Sequence, residues 1–405
     1  MKINKLKHKE KVDRKKLHII DLLSFLMGFA GALLGYVLST YISEILGTDN
    51  VGLVYLFSYA IVLFLLLNLH KIVRVFGKSF ILQSSFVFKI IAVTGLLLMP
   101  FSSVGMWFLI LYIISGTLSW TAIDGITESF SSDSESGRIR GSHLAIMNAG
   151  ILMAPLLASQ LLDKYGFQGI FLASFLTNSL LLVIAMLGIR RTNHKFKKNI
   201  NVKKLFQKFS KRKNIMRIYY VSFALDFFYA VMVIYAPLYL LSRGFTWDQL
   251  GWVFTIMLVP FVLIQYPMGI LADKRTGERE FLMFSFLILG ISTIMFFISD
   301  SSSIMVWTMI LVLGRIGAAL AEILKESYFY KRIDGNDVDI IDFFKTSGPV
   351  AYIAATAISG IILTFLSINF IFLVLAIICF SAFYPTFRLV DNRSEKDVVI
   401  ATKKA

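Results

Sequence analysis

Twelve apolar runs, each long enough to cross a hydrocarbon core of about 30 Å as a helix, dominate this chain. They lie near residues 17–43, 50–69, 79–98, 104–128, 141–162, 167–189, 215–242, 247–270, 280–298, 304–328, 339–364 and 367–387. In lipid such a run has one stable form, because a helix satisfies its own N–H and C=O groups and an open strand or loop leaves them bare. Composition agrees: 57% of the 405 residues are hydrophobic, 37 are Phe and only 16% are charged. A soluble domain has no interior large enough for that much apolar surface. The expected fold is therefore an all-α, multi-pass membrane protein.

The basic residues test the count. Loops numbered alternately inside and outside, with the N-terminus inside, collect nearly all of the 41 Lys and Arg on the inside. Lys164 and Arg243 fall outside, while Lys89, Arg315 and Lys345 fall within spans. A wrong count would scramble this alternation, so the pattern predicts twelve transmembrane helices with both termini cytoplasmic in a cell membrane. The net charge of +16 then reflects topology. Its counter-charge is anionic lipid of the cytoplasmic leaflet, and no nucleic-acid partner is implied. The basic start "MKINKLKHKEKVDRKK" precedes a run too long for a cleaved signal core, so the first run is expected to be a retained helix. The single cysteine, Cys379, excludes an intrachain disulfide and a multi-cysteine metal site.

The basic segment 190–214 divides the runs into two groups of six, 17–189 and 215–388, flanked by a basic N-terminus (1–16) and a tail (389–405). A shift of 198 residues superposes them: Gly116, Glu128, Ser129, Gly137 and Gly150 fall on Gly314, Glu326, Ser327, Gly335 and Gly348, and Asp124 falls on Glu322. Parallel six-helix repeats suit two bundles rocking about a central site. Between the eighth and ninth runs stands "GILADKRTGERE", a charged island of a Gly, an Asp-Lys pair, another Gly and a further Arg.

Twelve spans in 6+6 halves, the basic central segment and this island, with Gly269, Asp273, Lys274, Gly277 and Arg279, together resemble the major facilitator superfamily. The family's signature is usual between the second and third helices. Here that loop reads "HKIVRVFGKS", with Arg74 in place of the acid and only Gly77-Lys78 kept. The resemblance implies an alternating-access transporter in which the island and its neighbours form a cytoplasmic gate. It also implies that the first, fourth, seventh and tenth helices line a central cavity. A short loop that merely obeys the charge rule is the plainer reading of the island.

An ionisable residue at mid-bilayer costs about 2.5–3.5 kcal/mol on insertion scales, so each needs a reason. Asp226 lies in the seventh run, about 16 Å along the axis, with Tyr229 one turn further. Both are substrate or proton-coupling candidates, and a structural carboxylate paired with a neighbouring helix is the alternative for Asp226. Arg315, Glu322 and Glu326 share one stripe of the tenth run, at steps of seven and four residues. Arg315 is assigned to the cavity, and each of Arg315 and Glu322 is expected to pair with a different helix. Glu128 and Glu326 are assigned to the cytoplasmic gate, whereas Asp124 and Glu322 suit either role. Lys89 and Lys345 have no evident partner, and snorkelling accounts for Lys345 better than for Lys89. Burial disfavours a carboxylate's charge and an adjacent cation favours it, so opening of the cavity would switch Asp226.

In the fifth run, "GILMAPLLAS" is similar to the family's antiporter-associated pattern, with Gly150 and Pro155 kept and Ala154 in place of a glycine. Close helix packing produces the same spacing. In the central segment, Val202, Leu205, Phe206 and Phe209 share a helical face amid lysines, which favours an interfacial helix. No phosphate-binding loop, metal cluster, cofactor motif or catalytic motif appears, so an enzyme is not expected. The expected function is secondary active transport of a small solute, with proton antiport the first mechanism and sodium a second ion, by a monomer. Uptake symport, uniport, or a non-transporting scramblase, sensor or scaffold of the same fold are the alternatives.

Overall fold

The computed structural model describes residues 14–128, 136–189, 209, 212–274, 278–333 and 338–390, without the side chains of 14–15, 70, 128, 136–141, 273–274, 338–339 and 342. Its helices are α1 (Arg14–Gly35), α2 (Leu38–Leu46), α3 (Gly52–Phe76), α4 (Lys78–Leu98), α5 (Ser103–Glu128), α6 (Ser136–Gly188) and α7 (Lys213–Ser242). They continue with α8 (Trp247–Lys274), α9 (Glu278–Ile298), α10 (Ile304–Lys331), α11 (Val338–Phe344), α12 (Ser347–Phe365), α13 (Asn369–Ser381) and α14 (Phe383–Phe387). Among the described residues, 11 helical stretches are long and apolar enough to cross a membrane. Their outer flanks carry exposed Phe64, Leu98, Trp107, Leu187, Leu263, Ile298 and Phe365, a surface suited to acyl chains rather than water.

Several expected boundaries differ, each for a local reason. The first run is interrupted at Tyr36 and Val37, between α1 and α2. The fifth and sixth runs join into the 53-residue α6, whose backbone breaks at Gly166 (φ 63, ψ −163). This positive-φ geometry favours a residue without a side chain, so the helix kinks there without a loop. The eleventh run splits into α11 and α12 around the turn that holds Lys345, and the twelfth breaks at Ala382. Phe209 is fully buried against Tyr219 and Phe343, with ring centroids 5.5 and 4.5 Å away, so it anchors on protein rather than lipid. Val202, Leu205 and Phe206 lie outside the described residues.

Packing pairs recur along the chain. In the first half α1 lies on α6, α4 on α5 and α6, and α3 on α5. In the second half α7 lies on α12, α9 on α10 and α13, and α8 on α10. Between the halves, α6 lies on α8, α3 on α12 and α2 on α7. Near the α2–α3 and α7–α8 turns the apolar core runs continuously from one half to the other, with Tyr36 stacked on Phe254 at 5.0 Å. Toward the opposite end, the first half keeps a separate core around Leu23, Met27, Phe86 and Ile123.

Missing side chains set the closest approaches. A Cβ on Gly150 would sit 2.0 Å from the Phe25 carbonyl oxygen, and one on Gly28 would sit 2.4 Å from that of Met147, so α1 and α6 meet nearly backbone to backbone. Gly150→Ala is expected to lower stability by about 1–3 kcal/mol, because the obstacle is backbone and cannot rotate away. Gly35→Ala, where nothing lies within 4 Å, serves as the control. Thermal unfolding of both purified variants in detergent measures this. Equal melting temperatures would refute the contact's role.

Candidate functional site

The small residues Gly314, Gly317, Ala318, Ala319 and Ala321 bring α10 close to its neighbours, and its long polar side chains then project into the interior. Arg315 is 3% exposed. Its guanidinium carbon lies 5.7 Å from the Phe228 ring, 5.8 Å from Tyr229 and 6.0 Å from Phe261, contributed by α7 and α8. Such cation–π contacts are each worth about 0.5–2 kcal/mol, but they do not use the N–H groups. Both Nε and Nη2 of Arg315 are buried without a hydrogen-bond acceptor, and so is the Tyr229 hydroxyl. Pairing of Arg315 with a carboxylate is therefore not what the structure contains. Aromatic faces surround it instead.

Two turns along the same helix, Glu322 meets α8. Gln265, fully buried, donates through Nε2 to Glu322 Oε2 and accepts at Oε1 from Asn148 Nδ2 at 2.9 Å. Asn148 belongs to α6, so this chain of three side chains crosses from the first half to the second. Among the described residues Glu322 makes no ion pair.

Asp226 has a different environment. Its carboxylate accepts from Ser347 Oγ at 2.8 Å and Ser222 Oγ at 3.3 Å, and lies 3.5 Å from Lys325 Nζ, which also donates to Ser222 at 3.1 Å. All of these belong to the second half. Lys325 rises from below because helical side chains lean toward the N-terminus of their helix. The structural pairing weighed as the alternative for Asp226 is the one observed. Tyr229, three residues on, faces Arg315 and Phe261 instead.

Lys345, expected to snorkel alone, stands 2.7 Å from Asp124 of α5 and 3.8 Å from Glu326 of α10. It thus links an acid from each half, at the end where the apolar cores are separate. Glu128 ends α5, with its side chain outside the described part. In the charged island, Gly269 is buried within α8, and Asp273 and Lys274 close that helix without described side chains. Gly277 lies outside the description, and Arg279 contacts its neighbour Glu280 at 2.9 Å. Glu278, where a basic residue is usual, is 3% exposed and holds Ser327 at 2.8 Å and Lys331 at 2.9 Å. The described part of the island therefore ties α9 to α10 within one half. In α6, Ala154 is fully buried, and the Pro155 carbonyl lies 3.3 Å from where a Cβ of Gly251 would stand. Lys89, 1% exposed, sits over the Tyr112 ring at 5.6 Å.

Sequence reasoning missed Lys325, Gln265 and Asn148. Lys325 stands at the inner end of the tenth run, where a lysine simply obeys the charge rule. The amides are uncharged, although a polar side chain inside an apolar run is itself a signal. Breaking a buried ion pair costs about 3–5 kcal/mol, so Asp226→Asn is expected to destabilise by up to that amount, by stranding Lys325. Asp226→Asn combined with Lys325→Met should recover most of the loss, as read by thermal unfolding. A double variant no more stable than the single one would show that the pair is not what holds these helices.

The sequence model of the Major Facilitator Superfamily matches residues 20–324 and 248–404. No curated protein matches the chain. Among solved structures, the human organic anion transporter MFSD10 (TETRAN) is similar in fold, with a TM-score of 0.72 at 12% identity, covering 92% of this chain and 99% of that one. The family match spans nearly the whole sequence, and the chain belongs to the Major Facilitator Superfamily, whose members are membrane transporters.

Proposed function

We propose that this protein is a secondary active transporter that carries a small solute by alternating access and couples it to a proton through Glu322. Two bundles, 17–189 and 215–388, move against each other about Arg315, Tyr229 and Glu322. The break at Gly166 makes α6 two crossings, which supports twelve in all with both termini cytoplasmic. The recurrence of packing pairs supports the 6+6 division. The Lys345 link to Asp124 and Glu326 then closes the cytoplasmic side, in company with the charged island. The protein acts as a monomer in a cell membrane.

The observation that carries this reading is the Asn148–Gln265–Glu322 chain. An ionised Glu322 only accepts, so the Gln265 amide turns its NH2 toward it and its oxygen toward Asn148. A protonated Glu322 keeps one accepting oxygen and gains a donor, so it no longer holds the amide in one sense. The amide is then free to invert, which sets its NH2 against the NH2 of Asn148 and breaks the bond between the halves. Asp226 and Asp124 already have lysine partners and lack this freedom. Proton antiport is the form favoured by the pattern of Gly150, Ala154 and Pro155 in α6. Symport is its counterpart, and the direction of proton flux distinguishes the two.

Proteoliposomes with an internal pH dye, challenged with a broad solute panel, test this. Solute-driven proton flux is expected in the native protein, and Glu322→Gln should reduce it to the level of empty liposomes while solute counterflow persists. Undiminished proton flux in Glu322→Gln would transfer the coupling to Asp124. Counterflow without proton movement in the native protein would leave uniport or sodium coupling.

A further inference from the structure

We infer that the transported solute carries a carboxylate on a flat apolar body, and that Arg315 grips it with its Nε–Nη2 edge while Tyr229 donates a third hydrogen bond. This rests on the transport reading above and names the chemistry of its central site.

The two unpaired nitrogens of Arg315 share one edge of the guanidinium. Their N–H bonds run parallel, the arrangement that meets both oxygens of a carboxylate at once. A buried guanidinium that makes no hydrogen bond from this edge has lost its water there and gained nothing in exchange. The fold does not lack acceptors generally, since Asp226, Asp124 and Glu278 each hold a lysine. Lys89 lies over the Tyr112 ring, and among the described residues Arg315 is the cation whose buried N–H groups lack an acceptor. The Tyr229 hydroxyl, also buried and unpaired, belongs to a ring 5.8 Å from the same guanidinium. Two parallel unpaired donors on Arg315, beside a ring whose hydroxyl is also unpaired, make a site that suits an oxyanion.

Charge selects among oxyanions. In the second half Lys325 and Lys345 are already engaged with carboxylates, and Glu322 stands two turns further along α10. One cation facing a carboxylate does not neutralise a phosphate dianion, but it suits a monoanion. The rest of the solute would lie against Phe228 and Phe261, whose faces pack on the guanidinium. A flat apolar body replaces those contacts with stacking at little cost.

The test uses the full chain purified in detergent, with 2-naphthoate as probe and 2-naphthamide and 2-naphthylmethylammonium as its neutral and cationic counterparts. Calorimetric titration should show that naphthoate binds, with the counterparts at least about tenfold weaker. Arg315→Lys keeps the charge and removes the fork, and should weaken naphthoate by about tenfold or more. Tyr229→Phe keeps the ring and should weaken it severalfold, which provides a readout if Arg315→Lys fails to fold. Absence of naphthoate binding, binding no tighter than the amide, or binding unchanged by both substitutions overturns the inference. Counterflow in liposomes separates the two levels. Exchange of the ammonium with naphthoate ignored would leave transport standing and sink the carboxylate site. Naphthoate bound through Arg315 but never exchanged would do the reverse.

Discussion

Hydrocarbon offers no water to a backbone or to a charge, and most of this structure follows from that. Each long apolar run closes its own hydrogen bonds as a helix, so its identity depends little on neighbours. Charged side chains have no such internal solution and must find partners on other helices. Asp226 does so with Lys325, Glu278 with Lys331 and Lys345 with Asp124 and Glu326. These pairings fix the rotation of helices that apolar packing alone would leave loosely specified. Against that pattern Arg315 stands out, because its Nε and Nη2 groups are buried without an acceptor.

The two kinds of contact are not spread evenly. Within the first half, glycines bring α1 and α6 to near backbone contact, which is rigid because neither side can give. Between the halves, apolar packing is continuous at one end of the molecule, whereas the other end is joined by Lys345 and, deeper, by Asn148 and Gln265. Polar bridges of this sort exchange partners at modest cost when water enters, and interlocked backbones do not. Stiff halves with a polar, exchangeable join are what a rocking mechanism requires.

How far the sequence could be read follows the same division. Span existence depends on length and hydropathy, so the apolar runs and the repeat of Asp124 on Glu322 are visible without coordinates. The break at Gly166 hides because a left-handed glycine leaves hydropathy unchanged. The fully buried Phe209 hides because its partners, Tyr219 and Phe343, are distant in sequence. Charges announce themselves as candidates, but partners depend on the rotation and depth of other helices. Lys345 therefore looked solitary, and Asp226 looked available. Asn148 and Gln265 carry no charge and fell below notice, although they make the only side-chain hydrogen bond from α6 to α8 among the described residues.

Arg315 and Glu322 lie on one face of one helix, about 10 Å apart along the axis, and that proximity links what each binds. In a low-dielectric interior, charges at such a separation still interact appreciably. An anion on Arg315 cancels the positive field that an ionised Glu322 would otherwise meet from it. The anion and a proton on Glu322 therefore favour each other. Linkage is reciprocal, so whichever binds first improves the site for the second. Two ligands that bind together cross together, which is symport. A cationic solute would instead compete with the proton and exchange for it. On this argument the Gly150–Pro155 pattern of α6 and the Arg315 edge point to opposite signs of coupling. The unpaired edge is the stronger physical ground, because small residues in α6 are already accounted for by its contacts with α1 and α8.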